Sequence, residues 1–299
     1  MPSLKAFYAL VVLSTCCAQS ALAQQRFGPQ GAESEPDRMQ QWKVPSSEPD
    51  TAENAVLFRP LGDGPFRLAL IAHASTDNVL ARAQMPPPEY RALAAWLVAR
   101  GFAVLVPQRP GHGVSGGKYR EDTGGCDAAD YSHAGLATAA EIAASLAYMR
   151  GLSFIRPDGA VILGHSAGGW GALALARQNP AEVVAIIAFA PGRGGHANDL
   201  PNRVCAPHTL ISSAAEFGQT ARVPVTWMVA ANDSYFSPAL SRQLADAFRR
   251  GGDKVELRVL WRGSLAGGDR GRRENRGTRT GAGAEAAKSA AFKSEASRY

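Results

Sequence analysis

The chain is poor in cysteine, and beyond its N-terminal segment no apolar run is long enough to cross a membrane. Only four of its 299 residues are cysteines, and neither Cys126 nor Cys205 has a second Cys or a His at the spacing of a zinc motif. No internal repeat is visible, which argues against a solenoid. These absences exclude a cysteine-based metal site, and they leave a globular chain with no metal or organic cofactor implied.

Positive charge is also scarce outside one segment. The net charge is +6, but residues 261–299 hold nine Lys or Arg against four Asp or Glu, so nearly all of the excess lies there. The remainder is close to neutral, which excludes a basic surface for nucleic acid in the folded part. Residues 261–299 are rich in Arg, Gly and Ala and have few large apolar side chains. We therefore predict that this tail is disordered.

The N-terminus has the pattern of a secretory signal peptide. Lys5 precedes an apolar stretch over residues 6–18, and Ala21-Leu22-Ala23 fits the small-residue cleavage pattern, so residues 1–23 are predicted to be removed. Lipid attachment at Cys16 is the alternative, which the preceding Thr15 disfavours. The mature protein is then exported, periplasmic or extracellular, with no membrane partner.

After cleavage two cysteines remain, Cys126 and Cys205. An even count in an oxidising compartment predicts a disulfide between them, and two buried thiols are the alternative.

Between residues 55 and 260 the chain alternates strand-like and helix-like segments, and residues 24–54 are predicted to be a polar leader or linker with one strand near its end. The strand-like runs are continuously apolar, as expected for strands buried on both faces; they cover residues 66–72, 102–107, 160–164, 183–190, 223–230 and 255–260. Helical patterns occupy residues 88–100, 128–150, 167–178 and 238–250. This alternation predicts an α/β fold, a mostly parallel, doubly wound sheet with helices on both faces.

One stretch, GHSAGG at residues 164–169, lies directly after a strand-like run and opens a helical pattern. Gly164-His165-Ser166-Ala167-Gly168 fits G-x-S-x-G, in which glycines relieve crowding around a serine on a sharp strand-to-helix turn. The helix behind it offers backbone N–H groups and a positive dipole end to an oxyanion. Ser166 is therefore the candidate nucleophile.

With this turn and this order of strands, residues 55–260 resemble the α/β-hydrolase family, and within it the dienelactone-hydrolase or carboxylesterase type. The resemblance implies a Ser–acid–His triad in chain order and an oxyanion hole of two backbone N–H groups. The first would come from Ala167. The second would come from Ser75, in the loop His73-Ala74-Ser75-Thr76, where Ala74 replaces the usual glycine.

The same resemblance assigns the remaining loop residues at this end of the sheet. RPGHGVSGG, at residues 109–117, is similar to a loop that lies beside the family's active site. His73 and His112 are expected to pack and to form hydrogen bonds rather than to catalyse. Asp233 follows the run at residues 223–230 and is the expected triad acid, which would fix the imidazole tautomer; an Asp that caps a turn is the alternative.

The expected base is missing, because no histidine follows the last strand-like run; the six histidines lie at positions 73, 112, 133, 165, 196 and 208. Three hypotheses account for this. The C-terminal segment is altered from that of a normal hydrolase, another histidine (His196 or His208) is a substitute base, or the chain is an impaired relative that binds a ligand.

The sequence thus predicts an exported serine hydrolase that cleaves an ester or related acyl bond of a small molecule. A binding protein of the same fold and an exported serine peptidase remain alternatives. Substrate identity and oligomeric state are not defined by the sequence.

Overall fold

The computed structural model describes residues 26–251 and 254–261, and nine strands of this part of the chain form one sheet. The strands are β1 (Gly28–Pro29), β2 (Gln40–Pro45), β3 (Ala52–Phe58), β4 (Arg67–Ala72), β5 (Phe102–Gln108), β6 (Ala160–His165), β7 (Val183–Phe189), β8 (Val225–Ala230) and β9 (Val255–Leu260). Their spatial order is β1-β2-β3-β5-β4-β6-β7-β8-β9. The predicted signal peptide and nearly all of the predicted tail lie outside the described residues.

The sheet is parallel from β5 through β4 to β9, and β1, β2 and β3 extend it in antiparallel register. In β4 every residue after Arg67 is buried, as its continuous apolar sequence predicts for a strand covered on both faces. The predicted α/β fold with a mostly parallel sheet is confirmed. Because β4, β6, β7 and β8 are parallel neighbours, the loops that follow them meet at one edge.

The boundary predicted at residue 55 is wrong, because the sheet already begins at Gly28. Residues 24–54 contain β1, β2 and the start of β3 rather than a linker. In β2, Gln40, Trp42 and Val44 are buried while the residues between them are exposed or half-buried. This half-polar alternation is typical of antiparallel strands and does not form a continuous apolar run, so the sequence pattern used for the other strands does not reveal it.

Six α-helices lie within the described residues: α1 (Val79–Ala83), α2 (Arg91–Val98), α3 (Tyr131–Arg150), α4 (Ala167–Ala176), α5 (Pro207–Gly218) and α6 (Pro238–Arg249). The four predicted helices correspond to α2, α3, α4 and α6. Asp130 caps α3 by accepting a hydrogen bond from the His133 N–H at 2.8 Å. Ser237 caps α6 in the same way, and Pro238 occupies its first turn. None of these helices is long and apolar enough to cross a lipid bilayer.

Two apolar layers enclose the sheet. On one face, α3, α4, α5 and α6 pack over the strands, and Trp170 and Phe217 meet there with ring centroids 5.2 Å apart. On the other face, Leu93 and Leu97 of α2 pack against β3, β4 and β5. Full burial of one such aliphatic side chain contributes about 1.5–3 kcal/mol to folding. This packing fixes the strand ends that carry the site.

Candidate active site

Ser166 occupies the sharp turn between β6 and α4. Its backbone has φ 51° and ψ −115°, a conformation that non-glycine residues seldom adopt. Backbone hydrogen bonds hold it there: its N–H donates to the Phe189 carbonyl at 2.9 Å, and its own carbonyl accepts from the N–H groups of Trp170 at 2.9 Å and Gly192 at 3.3 Å. Strain of this kind, held in place by its surroundings, is common at functional residues. The turn predicted around Ser166 is therefore present.

Glycines next to Ser166 allow a close approach of backbone segments. A β-carbon on Gly168 would lie 2.1 Å from the carbonyl oxygen of Ala72, and one on Gly164 would lie 2.5 Å from that of Gly168. Neither distance is tolerable for a side-chain carbon. The glycines of the motif are thus needed because the start of α4 touches both its own strand and the end of β4.

The two predicted oxyanion donors lie at the ends of the neighbouring strands β4 and β6. Ala167 is the first residue of α4, where backbone N–H groups have no partner within the helix. Ser75 follows β4 by three residues, and the contact of Gly168 with Ala72 brings this loop against the serine turn. The roles of Ala167 and Ser75 as donors stay predictions.

His73, at the start of this loop, is buried and serves as a structural connector. The Arg109 N–H donates to its Nε2 at 3.0 Å, so Nδ1 carries the proton and faces the Ala74 carbonyl at 2.5 Å. The Arg109 side chain also donates to the His73 carbonyl at 2.9 Å. Burial, followed by the charge of Arg109, holds the pKa of His73 well below its usual value. This neutral imidazole has the connecting role expected from the sequence.

His112 connects the same two segments, and its tautomer is fixed. Its Nδ1 lies 3.1 Å from the Pro110 carbonyl and 3.2 Å from the Arg109 carbonyl, neither of which can donate, so Nδ1 carries the proton. Nε2 therefore accepts from the Ser75 hydroxyl at 2.7 Å. Burial lowers the pKa of His112 to about 4, against the opposing charge of Glu121.

Asp233 lies in the loop after β8, as the resemblance implies. Its Oδ1 accepts hydrogen bonds from the N–H groups of Tyr235 (2.9 Å) and Phe236 (2.8 Å). The side chain is half-buried, so it is within reach of a partner at this edge of the sheet. These two bonds are those expected of an Asp that caps a turn. They do not prevent Asp233 from acting as the triad acid, because a carboxylate has further lone pairs that can accept from a histidine.

The two candidate substitute bases lie in different surroundings. His196 stacks on Tyr235 with ring centroids 3.7 Å apart, and its Nε2 lies 3.1 Å from the hydroxyl oxygen of Ser234, the residue after Asp233. His208 is exposed in the first turn of α5. The structure thus brings His196 to the loop of the predicted acid, whereas His208 is exposed on α5.

A buried ion cluster that the sequence did not predict underlies the site. Glu121 contacts the guanidinium groups of both Arg109 and Arg193, and Arg193 also donates to the Thr138 hydroxyl at 3.1 Å. Burial alone would raise the pKa of Glu121, but the two cations together hold it well below its usual value. Arg193 follows β7 next to the serine turn, where the Gly192 N–H donates to the Ser166 carbonyl at 3.3 Å.

The predicted disulfide between Cys126 and Cys205 is confirmed. It joins the loop after β5 to the segment after β7, two residues that are 79 positions apart in sequence. Tyr131 reinforces this connection by donating its hydroxyl to the Cys205 carbonyl at 2.6 Å. The ion cluster and the disulfide therefore tie the same two loops together at the edge that carries Ser166. Among the described residues, no group of three or more His, Cys, Asp or Glu could hold a metal ion.

This mostly parallel sheet, with a serine on a strained strand-to-helix turn and an aspartate after a later strand, is the arrangement of the α/β-hydrolase fold. Residues 88–211, which include Ser166, match the family model of the serine aminopeptidases S33. No curated protein sequence matches the chain. The chain has the α/β-hydrolase fold, and the finer resemblance to dienelactone hydrolases and carboxylesterases stays a prediction.

Solved structures share the fold at low sequence identity. An esterase of Pyrococcus furiosus, Pf2001, is 14% identical with a TM-score of 0.53, over 77% of this chain and 88% of that one. A cold-adapted esterase from an Arctic intertidal metagenomic library is 17% identical with a TM-score of 0.54, over 78% and 89%. Est1E from Butyrivibrio proteoclasticus, with ferulic acid bound, is 18% identical with a TM-score of 0.51, over 73% and 89%. At such identities the likeness concerns the fold.

Proposed function

We propose that the protein is a serine hydrolase that cleaves the ester bond of a small molecule. Ser166 attacks the acyl carbonyl, and the N–H groups of Ala167 and Ser75 hold the oxyanion that forms. The strained backbone of Ser166 between β6 and α4 carries this proposal, because it places a half-buried serine at the start of a helix, whose first N–H groups have no partner within the helix. The esterases among the fold relatives agree with an ester as substrate.

For the rest of the triad we propose Asp233 as the acid and His196 as the base. What supports His196 is its 3.1 Å contact with Ser234, directly after Asp233, and its position in the segment between β7 and β8. Asp233 would stabilise the imidazolium that forms when His196 takes the proton of Ser166. His208 is the second candidate base, with less in its favour because it is exposed on α5.

Labelling with a fluorophosphonate probe and hydrolysis of p-nitrophenyl acetate test the nucleophile. We expect Ser166→Ala to abolish labelling and to lower hydrolysis by about 10³-fold or more. Ser153→Ala, on an exposed residue outside the site, is the matched control and should behave as the wild type. A wild-type chain that is neither labelled nor active would instead support a non-catalytic binding protein.

The base is tested by comparing His196→Ala with His208→Ala. Loss of a general base lowers the rate by about 10²- to 10⁴-fold. We expect this loss in His196→Ala, with Ser166 still present and the fold intact by circular dichroism. An equal loss confined to His208→Ala would assign the role to His208, and unchanged rates in both would reject the pair.

The family model of the serine aminopeptidases supports a second candidate function, a serine peptidase. The same nucleophile would then attack an amide carbonyl. Parallel assays with p-nitrophenyl acetate and with aminoacyl p-nitroanilides separate the two functions, because a peptidase cleaves the anilides at a rate that also disappears in Ser166→Ala. Activity on the esters alone would leave the esterase proposal standing.

Export to an oxidising compartment is part of the proposal. The signal-peptide pattern of residues 1–23 and the disulfide between Cys126 and Cys205 support it, since disulfides persist where thiols are not kept reduced. Expression with and without residues 1–23, followed by fractionation, tests this. The protein should leave the cytoplasm only when that segment is present.

A further inference from the structure

Two side chains of the loop that carries the proposed oxyanion donor, those of His73 and Ser75, form hydrogen bonds with the segment that follows β5. His73 accepts from the Arg109 N–H at 3.0 Å, and Ser75 donates to His112 Nε2 at 2.7 Å. We propose that His112 is a positioning residue of the oxyanion hole. It holds the side chain of Ser75 so that the backbone N–H of Ser75 points at the developing oxyanion. This inference rests on the proposed function, because it assigns a task to Ser75 at the same site.

The contact between Ser75 and His112 has a fixed direction. Since the two carbonyls of Arg109 and Pro110 face Nδ1, the lone pair of the imidazole is on Nε2, and the Ser75 hydroxyl must be the donor. A hydrogen bond of defined direction selects one side-chain rotamer of Ser75. The side chain then restricts the torsion of its own backbone, and so the direction of its N–H.

His112 is itself immobilised from every side. It is fully buried, and its ring meets His73 edge to face with centroids 4.8 Å apart and Tyr119 at 5.5 Å. Arg82 covers the outer side of Tyr119, with its guanidinium carbon 3.5 Å from the ring centroid. Because the His112 ring is enclosed in this way, the loop after β5 determines the position of the ring and of the Ser75 hydroxyl bound to it.

Other features of the loop explain why side-chain contacts are needed to hold Ser75 in place. Ser75 is half-exposed and lies beyond the end of β4, where the backbone leaves the hydrogen bonds of the sheet. Ala74 replaces the glycine of the family's pattern and is itself buried, so residues 73–75 are held at three successive positions. Preorganised donors contribute to catalysis because they need no reorientation when charge develops.

An oxyanion donor acts on the transition state and not on the bound substrate, which gives the inference a kinetic signature. Ser75→Ala retains the N–H and loses only the hydroxyl that His112 holds. We expect kcat for p-nitrophenyl acetate to fall about 10- to 100-fold, less than the 10²- to 10³-fold that follows removal of a donor outright. KM should change by less than about twofold, because ground-state binding is untouched.

Conservative variants distinguish positioning from mere packing. Ser75→Thr keeps the hydroxyl and should recover most of kcat, whereas Ser153→Ala removes an exposed hydroxyl outside the site and should leave kcat unchanged. A boronic acid, which forms a tetrahedral adduct with a nucleophilic serine, should bind Ser75→Ala more weakly by the same factor as kcat/KM falls.

The second partner is tested by a double-mutant cycle with His112→Leu, which removes the acceptor at similar volume. Ser75→Ala should cost little further activity in that background, because the two residues act as one unit. If His112→Leu fails to fold, Ser75→Ala alone carries the test. The inference is overturned if Ser75→Ala has kcat within twofold of the wild type, or if only KM changes. An active Ser166→Ala would overturn the proposed function itself, which is a distinguishable result.

Discussion

Arg193 and Glu121 form an ion pair that is closed off from solvent, with both side chains 3% exposed. The pair joins the loop after β7 to the loop after β5, and Arg109 contacts the same carboxylate from the end of β5. Two cations thus share one anion in an interior where charges are poorly solvated. Such a cluster is stabilising only while it is complete, because the attraction among its members offsets the desolvation cost of burying each charge.

The first prediction concerns removal of that anion. Glu121→Gln leaves Arg109 and Arg193 buried without a counter-charge, and we expect the free energy of unfolding to fall by about 3–5 kcal/mol. Arg120→Gln, which breaks the exposed pair with Glu48, is the control and should cost less than about 1 kcal/mol. Urea denaturation measures both. Equal small losses would contradict the structural role of the cluster.

Acid should weaken the wild type through the same carboxylate. The pKa of Glu121 in the folded state lies below its usual value of 4.5, so its contribution to stability is present above that pH and is lost as pH falls through the lower folded-state pKa. The free energy of unfolding of the wild type should therefore fall more steeply below pH 4.5 than that of Glu121→Gln. If the free energies of unfolding of the two proteins fell equally steeply with pH, this role of Glu121 would be contradicted.

Glu53 has the opposite dependence. It is fully buried on β3, accepts from the Ser145 hydroxyl at 2.8 Å, and its Oε1 has no partner. Burial, together with the charge of Glu141, raises its pKa well above the usual value. Stability should then decline as pH rises above 4.5, because the unfolded state releases a proton that the folded state retains. Glu53→Gln should show a smaller decline between pH 5 and 9 in urea denaturation.

The disulfide should contribute to stability in the oxidised protein. Replacing both Cys126 and Cys205 with serine opens a long loop, and we expect the free energy of unfolding to fall by about 2–4 kcal/mol. Dithiothreitol should lower the wild-type melting temperature to that of the double variant and leave the variant unchanged. A wild type insensitive to the reductant would show that the bond adds nothing.

Gly168→Ala tests the packing behind the serine turn. The added carbon would lie 2.1 Å from the Ala72 carbonyl oxygen, so the start of α4 must move away from β4. We expect a loss of about 1–3 kcal/mol or more and a large fall in fluorophosphonate labelling of Ser166. Gly151→Ala, whose new carbon would lie 3.3 Å from the Tyr148 carbonyl oxygen, should keep normal labelling. Equal labelling of the two variants would contradict the argument.

Much of the sheet could be predicted, because strands buried on both faces are continuously apolar in sequence. β9 was predicted with its observed bounds, and β5 and β6 to within one residue. Helix α5 was not predicted, although Leu210, Ala214 and Phe217 are buried at helical spacing. Pro207 in its first turn and this apolar spacing are the signals in the sequence that could have predicted the helix.

The positions of Ser166 and Asp233 after strands could be predicted, because each follows an apolar run in a set order along the chain, and their catalytic roles stay proposals. The pairing of Arg193 with Glu121 could not be predicted, since the two residues are 72 positions apart in loops whose sequences have no periodicity. Only tertiary structure brings them together. The hydrogen bond of Ser75 with His112 belongs to the same kind, for a sequence shows which residues follow strands but not which loop residues meet.

The strand order has a consequence for synthesis on the ribosome. β4, β6, β7, β8 and β9 lie side by side in the order in which they are made, so each new strand finds its partner at an edge already formed. We expect the chain to assemble during translation by accretion at one side, as N-terminal parts fold first. The turn that bears Ser166 is bracketed by β4 and β7 before the strand leading to Asp233 emerges. Ser166, the proposed nucleophile, therefore takes its position in the fold before Asp233, the proposed acid, in each newly made chain.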